Sequence, residues 1–239
     1  MLIDQELCIG CGQCVLCCPV SAISLANDLA SIDLDECAEC GNCLRRADCP
    51  VDAISQQELV WPRTVRSILS DPLTIAAESG ISGRGTEEMK TNEVTGRFRR
   101  GAVGIAIELG RPITGARLYD AQKVAQAVAR LGVEFEKVNP TTSLMVDRRT
   151  GAFKQDVLNE KVLSAILEFC IKPEQLPELF AILKQVSSEI DCVFSLDVAA
   201  RANPDGSNPT TPYIEASGLW IAPNGKTNVG LGRPLFQEG

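Results

Sequence analysis

Apolar and polar residues alternate with a period of two over Val20-Ser21-Ala22-Ile23-Ser24-Leu25 and again over Leu29-Ala30-Ser31-Ile32-Asp33. This predicts two short strands, with Asn27-Asp28 as the turn between them. Val51-Asp52-Ala53-Ile54-Ser55 repeats the first of these almost letter for letter, so residues 1–60 read as two copies of one unit. From residue 99 the pattern lengthens. Ala102–Leu109 is a strand of small and branched apolar residues; Asp120 then caps a helix running through Leu131, with Val124, Val128 and Leu131 as its buried stripe and Gly132 as its stop. Val133–Val138 alternates as a strand, and Thr142–Asp147 as another before the turn at Arg148-Arg149-Thr150-Gly151.

The same order then recurs. Val162–Phe169 reads as a buried strand, Pro173-Glu174 opens a helix whose stripe is Leu176, Leu179, Phe180, Leu183 and Val186, and Asp191–Ala199 closes with a strand. Strand-helix-strand written twice is the split βαβ pattern, two helices on one face of an antiparallel sheet. By topology it resembles the ferredoxin-like or ACT-like α/β sandwich of small regulatory domains, so the expected class is α+β. Between the two regions, 61–98 is a connector: Trp61-Pro62 breaks the chain, Val65–Leu69 adds a helical turn, and the glycine-rich, polar stretch from Ser79 has no period. Residues 200–239 are rich in Pro, Gly and Asn. Their apolar bursts, Tyr213-Ile214 and Leu219-Trp220-Ile221, suggest a tail docked on a sheet edge or another subunit. The organisation expected is therefore 1–60, 61–98, 99–199 and 200–239.

Charge divides the chain in the same way. Of 31 acids and 23 bases, residues 1–60 carry ten acids and only two bases, Arg45 and Arg46, while residues 61–239 hold 21 of each. The whole net charge of −8 thus sits on the first 60 residues. Nucleic acid is excluded as a partner, because phosphate recognition needs a basic face; a basic patch on a redox protein suits it. No window approaches the 18 apolar residues of a membrane span, and with no export signal the expected compartment is the cytoplasm. The chain has no histidine. Imidazole bases, Ser-His and Cys-His nucleophiles and His-ligated metals are therefore out of reach.

Nine of the eleven cysteines lie in the first 49 residues. Cys8-x2-Cys11-x2-Cys14 is followed by Cys17-Cys18-Pro19, and Cys37-x2-Cys40-x2-Cys43 by Cys49-Pro50. Such a triplet lets three thiolates of one tight loop hold three irons of a cubane, with the fourth ligand coming from the other half. Zinc sites rarely use it, and a disulfide framework would need a secreted chain. The segment resembles the two-cluster bacterial ferredoxins, in which the ligand next to proline serves the other cluster. The resemblance implies two 4Fe-4S clusters, one on Cys8, Cys11, Cys14 and Cys49 and the other on Cys37, Cys40, Cys43 and Cys18. Two features depart from the pattern: five residues instead of three precede Cys49, and Cys17 competes with Cys18, although Pro19 points to Cys18. Ile9, Val15, Leu16, Val20, Ala22, Ile23, Val51, Ala53 and Ile54 are the expected apolar sheath. Cys170 and Cys192 lack partners at ligand spacing and read as buried thiols.

The function expected is electron transfer, as the ferredoxin-like subunit or dedicated partner of a larger oxidoreductase, because a free carrier needs only the first 60 residues. The alternative is a redox- or metabolite-responsive regulator binding a small anion at Gly110–Gly115. An autonomous enzyme built on arginines 84, 97, 99, 100 and 111 ranks last, since neither a Walker motif nor a dinucleotide fingerprint is present. Weaker anion signals are Gly83-Arg84-Gly85-Thr86 and the echo of Leu109-Gly110-Arg111-Pro112 in Leu231-Gly232-Arg233-Pro234.

Overall fold

A computed structural model describes residues 1–77, 80, 82, 96, 98–110 and 114–223. The first unit is small and built twice. β1 (Leu2–Ile3) pairs with β4 (Ile54–Ser55), and the hairpin of β2 (Ile23–Ala26) and β3 (Leu29–Ile32) lies between them in sequence. Each half also has a short helix, α1 (Gln13–Leu16) and α2 (Asn42–Arg46). The duplication is visible in the hydrogen bonds. Asp4 Oδ1 accepts from the N–H groups of Glu6 and Leu7, and Asp33 Oδ1 from those of Asp35 and Glu36, at 2.8–3.3 Å. Each Asp carbonyl then accepts from the N–H of the first cysteine of its triplet, Cys8 or Cys37. The two residues that lengthen the second half fall between Cys43 and Cys49, where α2 is one residue longer than α1.

The second unit is organised around β5 (Val103–Leu109). β10 (Ala165–Ile171) and β11 (Phe194–Ala200) flank it, both antiparallel, in the order β10-β5-β11. On one face of β5 the pleat puts Val103, Ile105, Ile107 and Leu109, each fully buried in a cluster shared with two helices, α4 (Leu118–Ala129) and α5 (Leu176–Val186). These helices supply Leu118, Val124, Val128, Leu176, Leu179 and Leu183, and each such side chain contributes roughly 1.5–3 kcal/mol by leaving water. On the opposite face the ring of Phe98 lies on Gly104, where a Cβ would meet it at 2.4 Å; only glycine leaves that space. Smaller pairs complete the unit: β6 (Ala116–Arg117) with β9 (Lys161–Val162), and β7 (Met145–Asp147) with β8 (Ala152–Phe153).

Several elements differ from the sequence expectation. Val133–Val138 is not a strand. It touches β10 through the single bridge Phe135↔Phe169: Glu134, Lys137 and Val138 face solvent, while Val133 and the Phe135 ring, edge-on to Phe169 at 5.8 Å, are held by the core. Asp120 does not cap α4 but sits in its first turn behind Arg117, accepting from Lys123 and from the N–H of Asp191. Thr142–Leu144 is a turn of 3-10 helix before β7. Tyr213 and Ile214 form a helix, α6 (Thr211–Ala216), packed beside α5 instead of extending a sheet, and Trp220 stands 81 % exposed. α3 (Thr64–Ser70), in the connector, belongs to the second core: Val65 and Leu69 are fully buried there, and Ser70 Oγ accepts from the N–H of Leu163. Among the described residues no helix is long and apolar enough to cross a membrane.

The two units are joined by charge. Arg117 pairs with Asp35 and Glu36 at 2.7 and 2.6 Å, and Lys161 also reaches Glu36. Hydrogen bonding from Arg117 lowers the pKa of Asp35. That of Glu36 falls chiefly through Lys161 and then Arg117, against its partial burial. A carboxyl lowered in the folded state contributes stability that is present above its unfolded value, near 4.5 for Glu36, and is lost as pH falls through the folded one. Glu36→Gln should therefore unfold at lower denaturant than the parent at pH 7, and the difference should be smaller at pH 3.5. A gap of the same size at both values would show that the pairs do not hold the units together.

Candidate metal centres

The loop from Cys8 to Gly12 is pressed against the β2–β3 hairpin. Gly10 has φ +67°, and a Cβ there would lie 2.1 Å from the carbonyl oxygen of Asp28, so both the sign of φ and the approach demand glycine. The equivalent position in the second half is Glu39, at φ +53°. Its left-handed backbone is held by three donors to its carboxylate: the N-terminal ammonium of Met1, Gln56 and Arg63. Burial works to raise the pKa of Glu39, but these donors outweigh it and the carboxyl stays lowered.

Two cavities open in this unit. Cys8, Cys11, Cys14 and Cys49 line the first, with Ile3, Ala30, Val51, Ala53 and Ile54 as its apolar wall. The second is lined by Cys18, Cys37, Cys40 and Cys43 with Met1, Val20, Ala22, Ile23 and Ile32. The eight cysteines expected as ligands thus line the two cavities four and four. Cys17 lines neither cavity. The crossing cysteines are held alike. After each Cys-Pro-Val a left-handed residue, Ser21 or Asp52, turns the chain so that the N–H of Ala22 points to Cys18 Sγ at 3.1 Å and that of Ala53 to Cys49 Sγ at 3.4 Å. Ala30 N–H reaches Cys8 Sγ at 3.4 Å.

The donor set fits iron–sulfur chemistry. Among the described residues no three Cys, Asp or Glu side chains converge closely enough for one metal ion, so the thiols surround a volume instead of meeting at a point. Four thiols per cavity is the complement of a 4Fe-4S cluster. Burial pushes the thiols of Cys14, Cys37 and Cys40 up, and that of Cys43 up to about 12; thiolates persist in such walls when bound metal offsets their charge.

Residues 1–50 match the 4Fe-4S dicluster domain. Over 57 residues the chain is 44 % identical to the protein named Ferredoxin 7Fe of Hydrogenibacillus schlegelii, covering 70 % of that protein and 23 % of itself. The chain belongs to the bacterial-type ferredoxins. It is also 38 % identical over 63 residues to a ferredoxin of Pyrobaculum islandicum, and 38 % over 55 residues to the pyruvate synthase subunit PorD of Methanothermobacter marburgensis. It spans 57 % and 62 % of those two relatives, which in turn cover 26 % and 23 % of the chain. No solved structure matches it. The ferredoxin module carries 4Fe-4S clusters, whose chemistry is electron transfer.

The two centres of the module differ in their surroundings. In the first, Cys11 is exposed and Cys8 and Cys49 half-buried; in the second, Cys37, Cys40 and Cys43 are all buried. Guanidinium groups close over the second. Arg45 donates to the carbonyl of Cys40 at 2.6 Å and pairs with Asp71. Arg66, only 3 % exposed, donates to the carbonyls of Leu34, Asp35 and Cys37 at 3.1, 2.7 and 2.8 Å and pairs with Glu160 at 2.5 Å. Sequence reasoning missed both arginines: Glu160 lies 94 residues from Arg66, and nothing near Arg66 marks it as buried. Of the expected sheath, Ala22, Ile23, Ala53 and Ile54 are buried, whereas Ile9 and Leu16 are 61 % and 90 % exposed. Cys170 and Cys192 are half-buried, not enclosed. Of the anion site expected at Gly110–Gly115, residues 111–113 lie outside the described residues, as do 83–86, arginines 84 and 97, and 231–234.

Proposed function

We propose that Cys8, Cys11, Cys14 and Cys49 ligate one 4Fe-4S cluster and Cys18, Cys37, Cys40 and Cys43 the other. The chain passes electrons through them as the ferredoxin-like subunit or dedicated partner of a larger oxidoreductase. The observation that carries this reading is the pair of four-thiol cavities, each with an N–H directed at the sulfur of its crossing cysteine. Burial, N–H···S bonds and nearby charge are the protein's means of setting a cluster potential. The second unit supports the subunit role. It is bound to the module through the pairs of Arg117 and Lys161 with Asp35 and Glu36 and through the buried Arg66, which donates to three module carbonyls, and a carrier alone would not need it. PorD, named as a pyruvate synthase subunit, is a relative of the module that works within a larger enzyme.

The test is an anoxic pull-down of the tagged full-length chain from its own source, with iron and sulfide assayed on the eluate. About eight irons per chain are expected, with a larger catalytic protein in fixed stoichiometry. Elution alone with a full complement of iron would overturn the subunit role, and about four irons would overturn the two-cluster assignment.

A further inference from the structure

We propose that the module exchanges electrons with its outside partner through the first centre only, across an apolar face edged with acid, and that the partner is a redox protein presenting a basic rim around an apolar patch. This rests on the electron-transfer reading and adds the direction of traffic. Three observations carry it.

The first is exposure. Cys11 is the one exposed cysteine among the eight, and it belongs to the first centre, while three of the second centre's four are buried. Electron exchange between proteins falls steeply with the thickness of the intervening layer, so the centre with a thiol at the surface is the exit. The second is the apolar surface beside Cys11. Leu7, Ile9 and Leu25 are 49 %, 61 % and 47 % exposed, and Leu25 Cδ1 lies 3.1 Å from where a Cβ of Gly12 would be. Leu25 therefore borders the first centre's loop. Exposed aliphatic side chains packed beside a redox centre are the apolar middle of a docking surface.

The third is charge, which names the partner. In the second half the chain's own bases have taken three acids, Asp35 and Glu36 through Arg117 and Lys161 and Glu39 through Arg63 and the N-terminus, while Asp33, Asp48 and Asp52 stay exposed. Around the first centre Asp4, Glu6 and Asp28 are exposed, and no ion pair engages them among the described residues. No Lys or Arg occurs before Arg45. Asp28 forms the turn against which Gly10 packs, and Asp4 and Glu6 form the turn that enters Cys8. The second unit thus shows, within one chain, how this module is bound: by arginine and lysine closing on acidic turns. For a partner offering the same chemistry, the turns at Asp4, Glu6 and Asp28 beside the first centre are unclaimed among the described residues.

The experiment uses the full-length, cluster-loaded chain under anoxic conditions, reduced by dithionite, and a basic c-type cytochrome as acceptor in a stopped-flow instrument. Glu6→Lys with Asp28→Asn changes the face by three charges. Glu174→Lys with Glu178→Gln makes the same change at exposed positions on the second unit. For the parent, the second-order rate should fall as salt is added. The face variant should be slower by roughly tenfold at low ionic strength and lose most of its salt dependence, while the control keeps the parental rate and slope. All three should reduce a small neutral mediator equally, which shows the clusters to be intact. Equal rates for the face variant and the control would overturn the exchange face and leave electron transfer standing. Reduced clusters that pass no electron to the cytochrome even in the parent would overturn the electron-transfer reading itself.

Discussion

Cys40→Ser is expected to remove about half of the iron, from about eight atoms to about four, and to loosen the join between the two units. Cys11→Ser should remove the same amount and leave the join unchanged. The difference follows from position. Cys40 is buried at 8 % exposure, and its carbonyl is held by Arg45, whose other partner, Asp71, follows directly on α3 of the second core. Losing the cluster there frees a loop that also carries the Asp35, Glu36 and Cys37 contacts to Arg117, Lys161 and Arg66. Cys11 is exposed on the far loop, and none of these groups touches it. The check is iron and sulfide content together with denaturant unfolding of each purified variant. A Cys11→Ser protein as unstable as Cys40→Ser would mean that the join does not depend on the second centre.

The second large effect is expected at Arg66. Its guanidinium is nearly inaccessible, pairs with Glu160 and donates to three carbonyls of the loop that carries Cys37. Arg66→Met strands a buried carboxylate and those carbonyls, a class of change that costs about 3–5 kcal/mol. Adding Glu160→Leu should recover part of that, since the stranded charge is gone, but not the carbonyl share. A second readout separates this from a general loss of packing. Removing a cation beside the second centre disfavours the added electron there, so its potential should fall while that of the first stays put, as followed by electron paramagnetic resonance during a redox titration. Equal shifts at both centres, or none, would show that Arg66 has no specific bearing on the second.

How much of this was legible in the sequence depends on distance along the chain. Ligand spacing is local: three thiols in seven residues and a Cys-Pro in each half single out the eight cysteines that line the two cavities. The repeat of Val20–Ser24 in Val51–Ser55 accounts for the matched N–H···S geometry at Ala22 and Ala53. The strands with unbroken apolar runs, β5 and β10, were also clear, since both of their faces are covered. Val133–Val138 misled because its alternation anchors Val133 and Phe135 in the core through one isolated bridge to Phe169, without a paired strand. The helix at Val65–Leu69 was seen but not its allegiance to the second core, for a short apolar stripe does not say which core it enters. The acid excess was read as a docking charge for a partner. Three of the ten acids of residues 1–60, Asp35, Glu36 and Glu39, prove to be spent inside the molecule, on side-chain bases between 24 and 125 residues away, which no local pattern reveals.

The clasp of Arg66, Arg117 and Lys161 on residues 34–37 has a consequence for biogenesis. A chain made from its N-terminus exposes both cysteine triplets well before residue 161 is synthesised. The first centre needs nothing beyond Ile54 for its walls and donors, so it is complete while the rest is still being made. The second has its thiols by then but not the groups that fix the carbonyls around Cys37. The surroundings of the two cavities are therefore completed in order along the chain, and the folding of the second unit is the step that closes the later one.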